Sequence, residues 1–134
     1  MAWRAAVSAV RVSVGLLLTA SAHAYAEPVT FTRDVAPLLH RHCVTCHRPG
    51  GASRTSLVTY DSARLHARQL VQLTASRQMP PWQPEPGWGA FEGDRRLSLD
   101  EIALLRRWLE DGRLEGNAGD LPAAPVYPLS LIHI

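Results

Sequence analysis

The 134-residue chain has no lysine, two cysteines, two methionines and no apolar run long enough to cross a bilayer. Each scarcity narrows the chemistry. Without a second cysteine pair, the four ligands of a structural zinc site cannot be assembled from thiolates. The two cysteines lie three positions apart, so a disulfide between them would close a tiny loop and stabilise little. Met1 opens the chain, which leaves Met79 as the one internal thioether. The absence of lysine reflects coding composition and assigns no function. The first apolar stretch, Val12 to Ala20, is well short of the ~20 residues a spanning helix needs.

That stretch has another reading. Arg4 and Arg11 give a mildly positive start, the apolar run follows, and Ala24-Tyr25-Ala26 places small residues where a signal peptidase cuts. This is the order of a secretory signal. Residues 1–26 are therefore expected to be a leader cleaved after Ala26, with Ala24 as the rival site and a membrane anchor as the alternative. Arg4 and Arg11 account for two of the 14 basic residues, leaving 12 arginines against 12 carboxylates beyond Ala26. A charge near zero gives no footprint for nucleic acid or an anionic membrane. No stable membrane insertion is expected after cleavage, and the product is expected to be periplasmic or otherwise exported.

What is present centres on Cys43-Val44-Thr45-Cys46-His47. Two cysteines at i and i+3 on one helical turn can each form a thioether with a haem vinyl group. The next residue then offers its imidazole to the iron, and C-x-x-C-H is read this way in exported chains. A thiol–disulfide redox pair is the competing reading, but it usually accompanies a βαβ pattern, and no strand pattern lies near. Half of a zinc site is the third. Export and motif agree on one covalent haem c, with His47 as proximal ligand. A chain this small buries a modest core, and a large apolar cofactor would supply interior.

The sixth ligand is expected to be Met79, within Arg77-Gln78-Met79-Pro80-Pro81-Trp82. The prolines hold that backbone extended. Met/His ligation raises the reduction potential and leaves no open site for substrate. An ordinary core methionine is the bland alternative. His66, on the apolar face of its predicted helix, is the best rival ligand. His40 and His42 lie close to the attachment site and are expected to face solvent or the haem edge.

Three main helices are expected in a small all-α domain with a long distal loop. The first starts at an N-cap Thr32, carries Val35, Leu38 and Leu39 inward, and runs into the haem motif until Pro49-Gly50-Gly51 stops it. The second covers about 61–74, with Ala63, Ala67, Leu70, Val71 and Leu73 on one side and Leu65 breaking the pattern. The third begins at the capping box Ser98-Leu99-Asp100-Glu101. Ile102, Leu104, Leu105, Trp108 and Leu109 share its inner arc, and Gly112 ends it. It is expected to cross the first helix and bury Trp108. Between the second and third helices, Trp82, Trp88 and Phe91 either roof the distal side or pack locally. Arg54, Tyr60, Arg77 and Trp82 are candidate donors to the propionates. Asp100 and Glu101 are explained by the capping box, and no catalytic triad or phosphate loop is visible.

Val29 to Pro37, Cys46-His47-Arg48-Pro49-Gly50, Leu57-Val58-Thr59-Tyr60, Met79-Pro80-Pro81-Trp82 and Leu97-Ser98 occur in this order. Residues 27 to 122 thereby resemble bacterial monohaem cytochrome c domains of the class I type. More narrowly, they resemble those preceding copper type II ascorbate-dependent monooxygenase-like domains. The resemblance implies a cytochrome c-like fold, Cys43 and Cys46 as attachment sites, His47 as proximal ligand and Met79 as distal ligand. It departs in one respect: Pro49 is too close to His47 to supply the carbonyl that fixes the axial imidazole in many such domains, so that acceptor is unassigned.

The domain is expected to span 27–120. Residues 121–128 read as a proline-rich linker toward a partner domain, and 129–134 (LSLIHI) as a non-native, adaptor-derived tail. The function implied is single-electron transfer to a fused or partner oxidoreductase domain, with no catalysis by this module alone. A haem enzyme or small-molecule sensor with a displaceable distal ligand is the alternative, and a haem-free interaction domain the third.

Overall fold

The computed structural model describes residues 27–81, 87–89 and 91–127. The expected leader, Trp82 and the 129–134 tail lie outside the described residues. Three α-helices account for most of the regular structure: α1 (Ala36–His42), α2 (Tyr60–Ala75) and α3 (Leu99–Glu110). Among the described residues there is no strand, only one isolated parallel bridge between Thr30 and Leu114. The all-α expectation holds.

The first helical segment differs from expectation at both ends. It opens with a π-helical turn, Phe31–Val35, in which Val35 N–H reaches back to the Thr30 carbonyl (3.2 Å). The residue before that turn is Thr30, not Thr32. Asp34 Oδ2 accepts from the Thr30 N–H (2.8 Å), so the acid two residues beyond Thr32 caps the chain from inside. Thr32 is buried within the turn, and its hydroxyl has no hydrogen-bond partner. At the other end α1 stops at His42. The Leu39 carbonyl accepts both the Cys43 and Val44 N–H groups (2.9 and 3.0 Å). β-Branched Val44 and Thr45, poor helix formers, then leave the helix, and Val44 enters the core.

α2 follows the predicted pattern closely. Thr59 caps it by accepting from the Ser62 N–H, and Ala63, Ala67 and Leu70 are buried. Leu65, the residue that broke the periodicity, is 79% exposed. α3 begins with the full capping box, since Ser98 Oγ accepts from Glu101 N–H while Glu101 Oε2 accepts from Ser98 N–H. Ile102, Leu105 and Trp108 face inward. α3 packs against α2 and against the Phe31–Val35 turn, so it meets the first helical segment at its opening turn. Trp108 is fully buried there, with its ring 6.1 Å from that of Phe31.

The two ends of the domain are tied together at this point. Phe31 and Thr32 N–H donate to the carbonyls of Leu114 and Glu115 (2.8 and 2.9 Å). Trp108 Nε1 also donates to the Leu114 carbonyl (2.9 Å), and Tyr60 Oη donates to the Arg113 carbonyl (2.9 Å). No helix among the described residues is long and apolar enough to cross a membrane.

Candidate functional site

Immediately after α1 the chain folds as a tight turn. Cys46 and His47 N–H both donate to the Cys43 carbonyl (3.1 and 2.9 Å). The C-x-x-C-H motif therefore sits on a turn beyond the helix. The same i to i+3 proximity results: the thiols of Cys43 and Cys46 are free, Cys43 buried and Cys46 half-buried. Burial pushes the Cys43 thiol up to about 12, with Cys46 and Glu101 adding to it. Arg95 Nη1 lies 3.8 Å from Cys46 Sγ.

The segment after Gly51 doubles back over this turn. Ser53 N–H donates to the Cys46 carbonyl (3.1 Å) and Leu57 N–H to the His47 carbonyl (2.9 Å). This return brings the Thr55 carbonyl to 3.0 Å from His47 Nδ1. A carbonyl can only accept, so Nδ1 carries the proton, and of the two neutral tautomers this contact selects the one whose Nε2 lone pair is available to a ligand. Thr55 is the acceptor that sequence reasoning left unassigned. The contact uses a main-chain oxygen, which every residue has, so no side-chain signal marks it.

Cys43, Cys46, His47, His66 and Met79 all line one cavity of about 500 Å³. That volume lies within the roughly 300–1,000 Å³ typical of small-molecule and cofactor pockets. Leu57, Leu70, Leu73 and Pro80 make much of its remaining wall apolar. Met79 reaches it because α2 ends abruptly. Arg77 takes a left-handed conformation (φ 57°), and Gln78 and Met79 N–H both return to the Leu73 carbonyl (2.9 and 3.1 Å). Such a residue just past a helix end satisfies the orphan carbonyls of the last turn, a role glycine usually fills.

Other expected residues are distributed differently. His42 lines the cavity, with Nε2 3.1 Å from Glu101 Oε1 and Nδ1 3.1 Å from the Arg95 carbonyl. It thus ties the end of α1 to the start of α3. Of the propionate candidates, Arg54, Tyr60 and Arg77 do not line the cavity, Trp82 is outside the described residues, and Arg95, which sequence reasoning passed over, does. Trp88 is 80% exposed and lines no part of the wall, so it forms no roof. Among the described residues, no group of three or more His, Cys, Asp and Glu side chains is arranged to hold a metal ion. The zinc reading therefore gains no support.

Fold and site together define a small all-α domain whose one cysteine motif, one internal methionine and three histidines, His42, His47 and His66, open onto a cofactor-sized, largely apolar cavity. Compared with family models, curated proteins and solved structures, the chain matches none.

Proposed function

We propose that this chain is an exported c-type cytochrome domain of the class I type, carrying one covalent haem and passing single electrons. The observation that carries the reading is the convergence of Cys43, Cys46, His47 and Met79 on one largely apolar cavity, although Met79 lies 32 positions beyond His47 in sequence. Nothing in a bare C-x-x-C-H motif requires that convergence.

The residues fit the group. Cys43 and Cys46 would hold it through thioethers, His47 would be its proximal ligand and Met79 its distal one. Held in this way, the haem would supply one-electron redox chemistry at a potential raised by the thioether and by burial. The chain's own contribution is positional. The Thr55 carbonyl fixes the tautomer and ring orientation of His47, which makes the imidazole a more basic donor. Leu57, Leu70 and Leu73 exclude water from one side of the cavity. With His47 and Met79 both serving as ligands, the protein would leave no iron site for substrate, which suits electron transfer and not catalysis by this module. The redox partner is proposed to be a separate protein or a fused oxidoreductase domain. Given the resemblance, a copper monooxygenase-like domain is the first to consider.

One observation favours a second assignment of the distal ligand. His66, on α2, lines the same cavity as Met79. Bis-histidine ligation through His66 would give a lower potential. The alternative function, a haem enzyme or sensor with a displaceable ligand, makes a different demand: the reduced protein would bind carbon monoxide rapidly.

The deciding experiment is expression of the full chain, leader included, in a host competent for cytochrome c maturation. The product is expected to keep its haem through denaturing electrophoresis and to lose it in the Cys43→Ala/Cys46→Ala double variant. A stably folded exported product free of covalent porphyrin would overturn the proposal.

A further inference from the structure

The turn that bears His47 is held from outside the cavity as well. Residues 121–127 do not simply leave the domain. Tyr127 packs against the hydrophobic core, and the guanidinium of Arg48 lies over its ring, with Cζ 4.2 Å from the centroid. Arg48 directly follows His47. Arg48 Nε and the Tyr127 hydroxyl are both buried without a hydrogen-bond partner. Leaving polar atoms unsatisfied opposes the contact, so ring packing and cation–π attraction are what hold it.

The turn beneath has little slack. Gly51 N–H donates to the Arg48 carbonyl (2.9 Å), and a Cβ on Gly51 would collide with the Cys46 carbonyl oxygen. Gly50 adopts φ 71°, a conformation that favours glycine. A displacement of Arg48 is therefore transmitted to the backbone on both sides of His47.

We propose that Tyr127 and Arg48 form a strap by which the segment after α3 clamps the proximal turn, making both of them positioning residues for His47. The clamp follows from the packing alone; its meaning for a ligand rests on the haem reading above.

Hydrogen exchange on the full matured chain tests the clamp. In Tyr127→Ala the amides of His47, Gly51, Ser53 and Leu57 are expected to exchange about tenfold faster, in line with loss of a partly desolvated cation–π contact. Amides within α3 should be unaffected. Tyr127→Phe keeps the ring and should match the parent. Arg48→Met, which removes the charge and keeps the length, should loosen the same amides without disturbing Tyr127's own segment. Unchanged protection of the turn in both Tyr127→Ala and Arg48→Met overturns the strap, as does Tyr127→Phe behaving like Tyr127→Ala.

The positioning role has its own readout. The hyperfine-shifted haem methyl resonances of the oxidised protein report the orientation of the axial imidazole. They are expected to move in Tyr127→Ala and to stay in place in Tyr127→Phe. Faster exchange with unmoved resonances would reduce the strap to a structural contact and refute the positioning role. If the parent protein carries no covalent haem, the haem reading fails, and the exchange data still decide the clamp.

Discussion

At the scale of single residues, the proposed ligands His47 and Met79 both line the cavity, and the proposal predicts different consequences for Met79 and its rival His66. Met79→Ala is expected to remove the long-wavelength thioether–iron absorption band of the oxidised protein, lower the reduction potential and open the reduced protein to carbon monoxide. His66→Ala should leave the band intact. The reverse outcome, loss of low-spin ligation in His66→Ala alone, would assign the distal position to His66. That these side chains belong to one site was legible in the sequence because the proposed chemistry demands particular residue types: cysteine for a thioether, and imidazole or thioether for an iron ligand. The structure brings them to one cavity. Thr55 was illegible for the opposite reason. It acts through its carbonyl, 3.0 Å from His47 Nδ1, and only the return of the chain after Gly51 puts it there. His42 was half legible. Its nearness to the motif was visible, but its place between Glu101 and the Arg95 carbonyl depends on where α3 begins.

At the scale of elements, the start of α3 carries the most consequence. Ser98 and Glu101 cap it reciprocally, and Glu101 also accepts from His42 and pairs with Arg41 (3.5 Å). Ser98→Ala removes one half of the box and is expected to cost about 1 kcal/mol, within the usual range for such caps, as a lower urea midpoint. Glu101 predicts an acid dependence. Partial burial would raise its pKa, but the Ser98 N–H and His42 together hold it below its ordinary 4.5. A carboxyl depressed in the folded state stabilises the fold above its unfolded pKa, and that stability is lost as pH falls through the folded value. Urea midpoints should therefore drop on acidification past 4.5, and Glu101→Gln should flatten part of that drop. Asp34, whose pKa is also lowered, accounts for some of the rest: burial works against it, while Arg33 and the Thr30 N–H prevail. α2 and α3 were readable in sequence because long amphipathic helices repeat their signal over several turns, and the capping box is a local pattern. The first segment was misread at Thr32 because an N-cap signal is a single residue. The chain there enters through a π-helical turn whose register depends on pairing with Leu114 and Glu115, more than eighty positions away.

For the whole molecule, the decisive quantity is the cavity itself. Small domains retain only about 5–15 kcal/mol of net stability. The apolar wall of the roughly 500 Å³ cavity lacks packing contacts wherever nothing lies against it. Exposed Gln69 and Arg95 on the wall let water enter part of the space. The rest of the interior is built around Trp108, Phe31, Leu39 and Leu105, with further leucines and small side chains about them. On the haem reading proposed above, helix packing shapes the cavity and a large apolar group would return contacts to its wall, coupling cofactor to fold. The tie of Phe31 and Thr32 to Leu114 and Glu115 cannot compensate, since it already operates at close contact. A Cβ at Gly116 would collide with Thr32 Oγ1, so that seam has no room to tighten. The Cys43→Ala/Cys46→Ala protein is accordingly expected to keep much of its far-ultraviolet helix signal while losing near-ultraviolet fine structure and a cooperative urea transition, the signature of a compact state without specific packing. The parent should unfold in one sharp transition at markedly higher urea. If the double variant instead unfolds as sharply and as late as the parent, the cavity needs no occupant and the link between cofactor and fold is wrong.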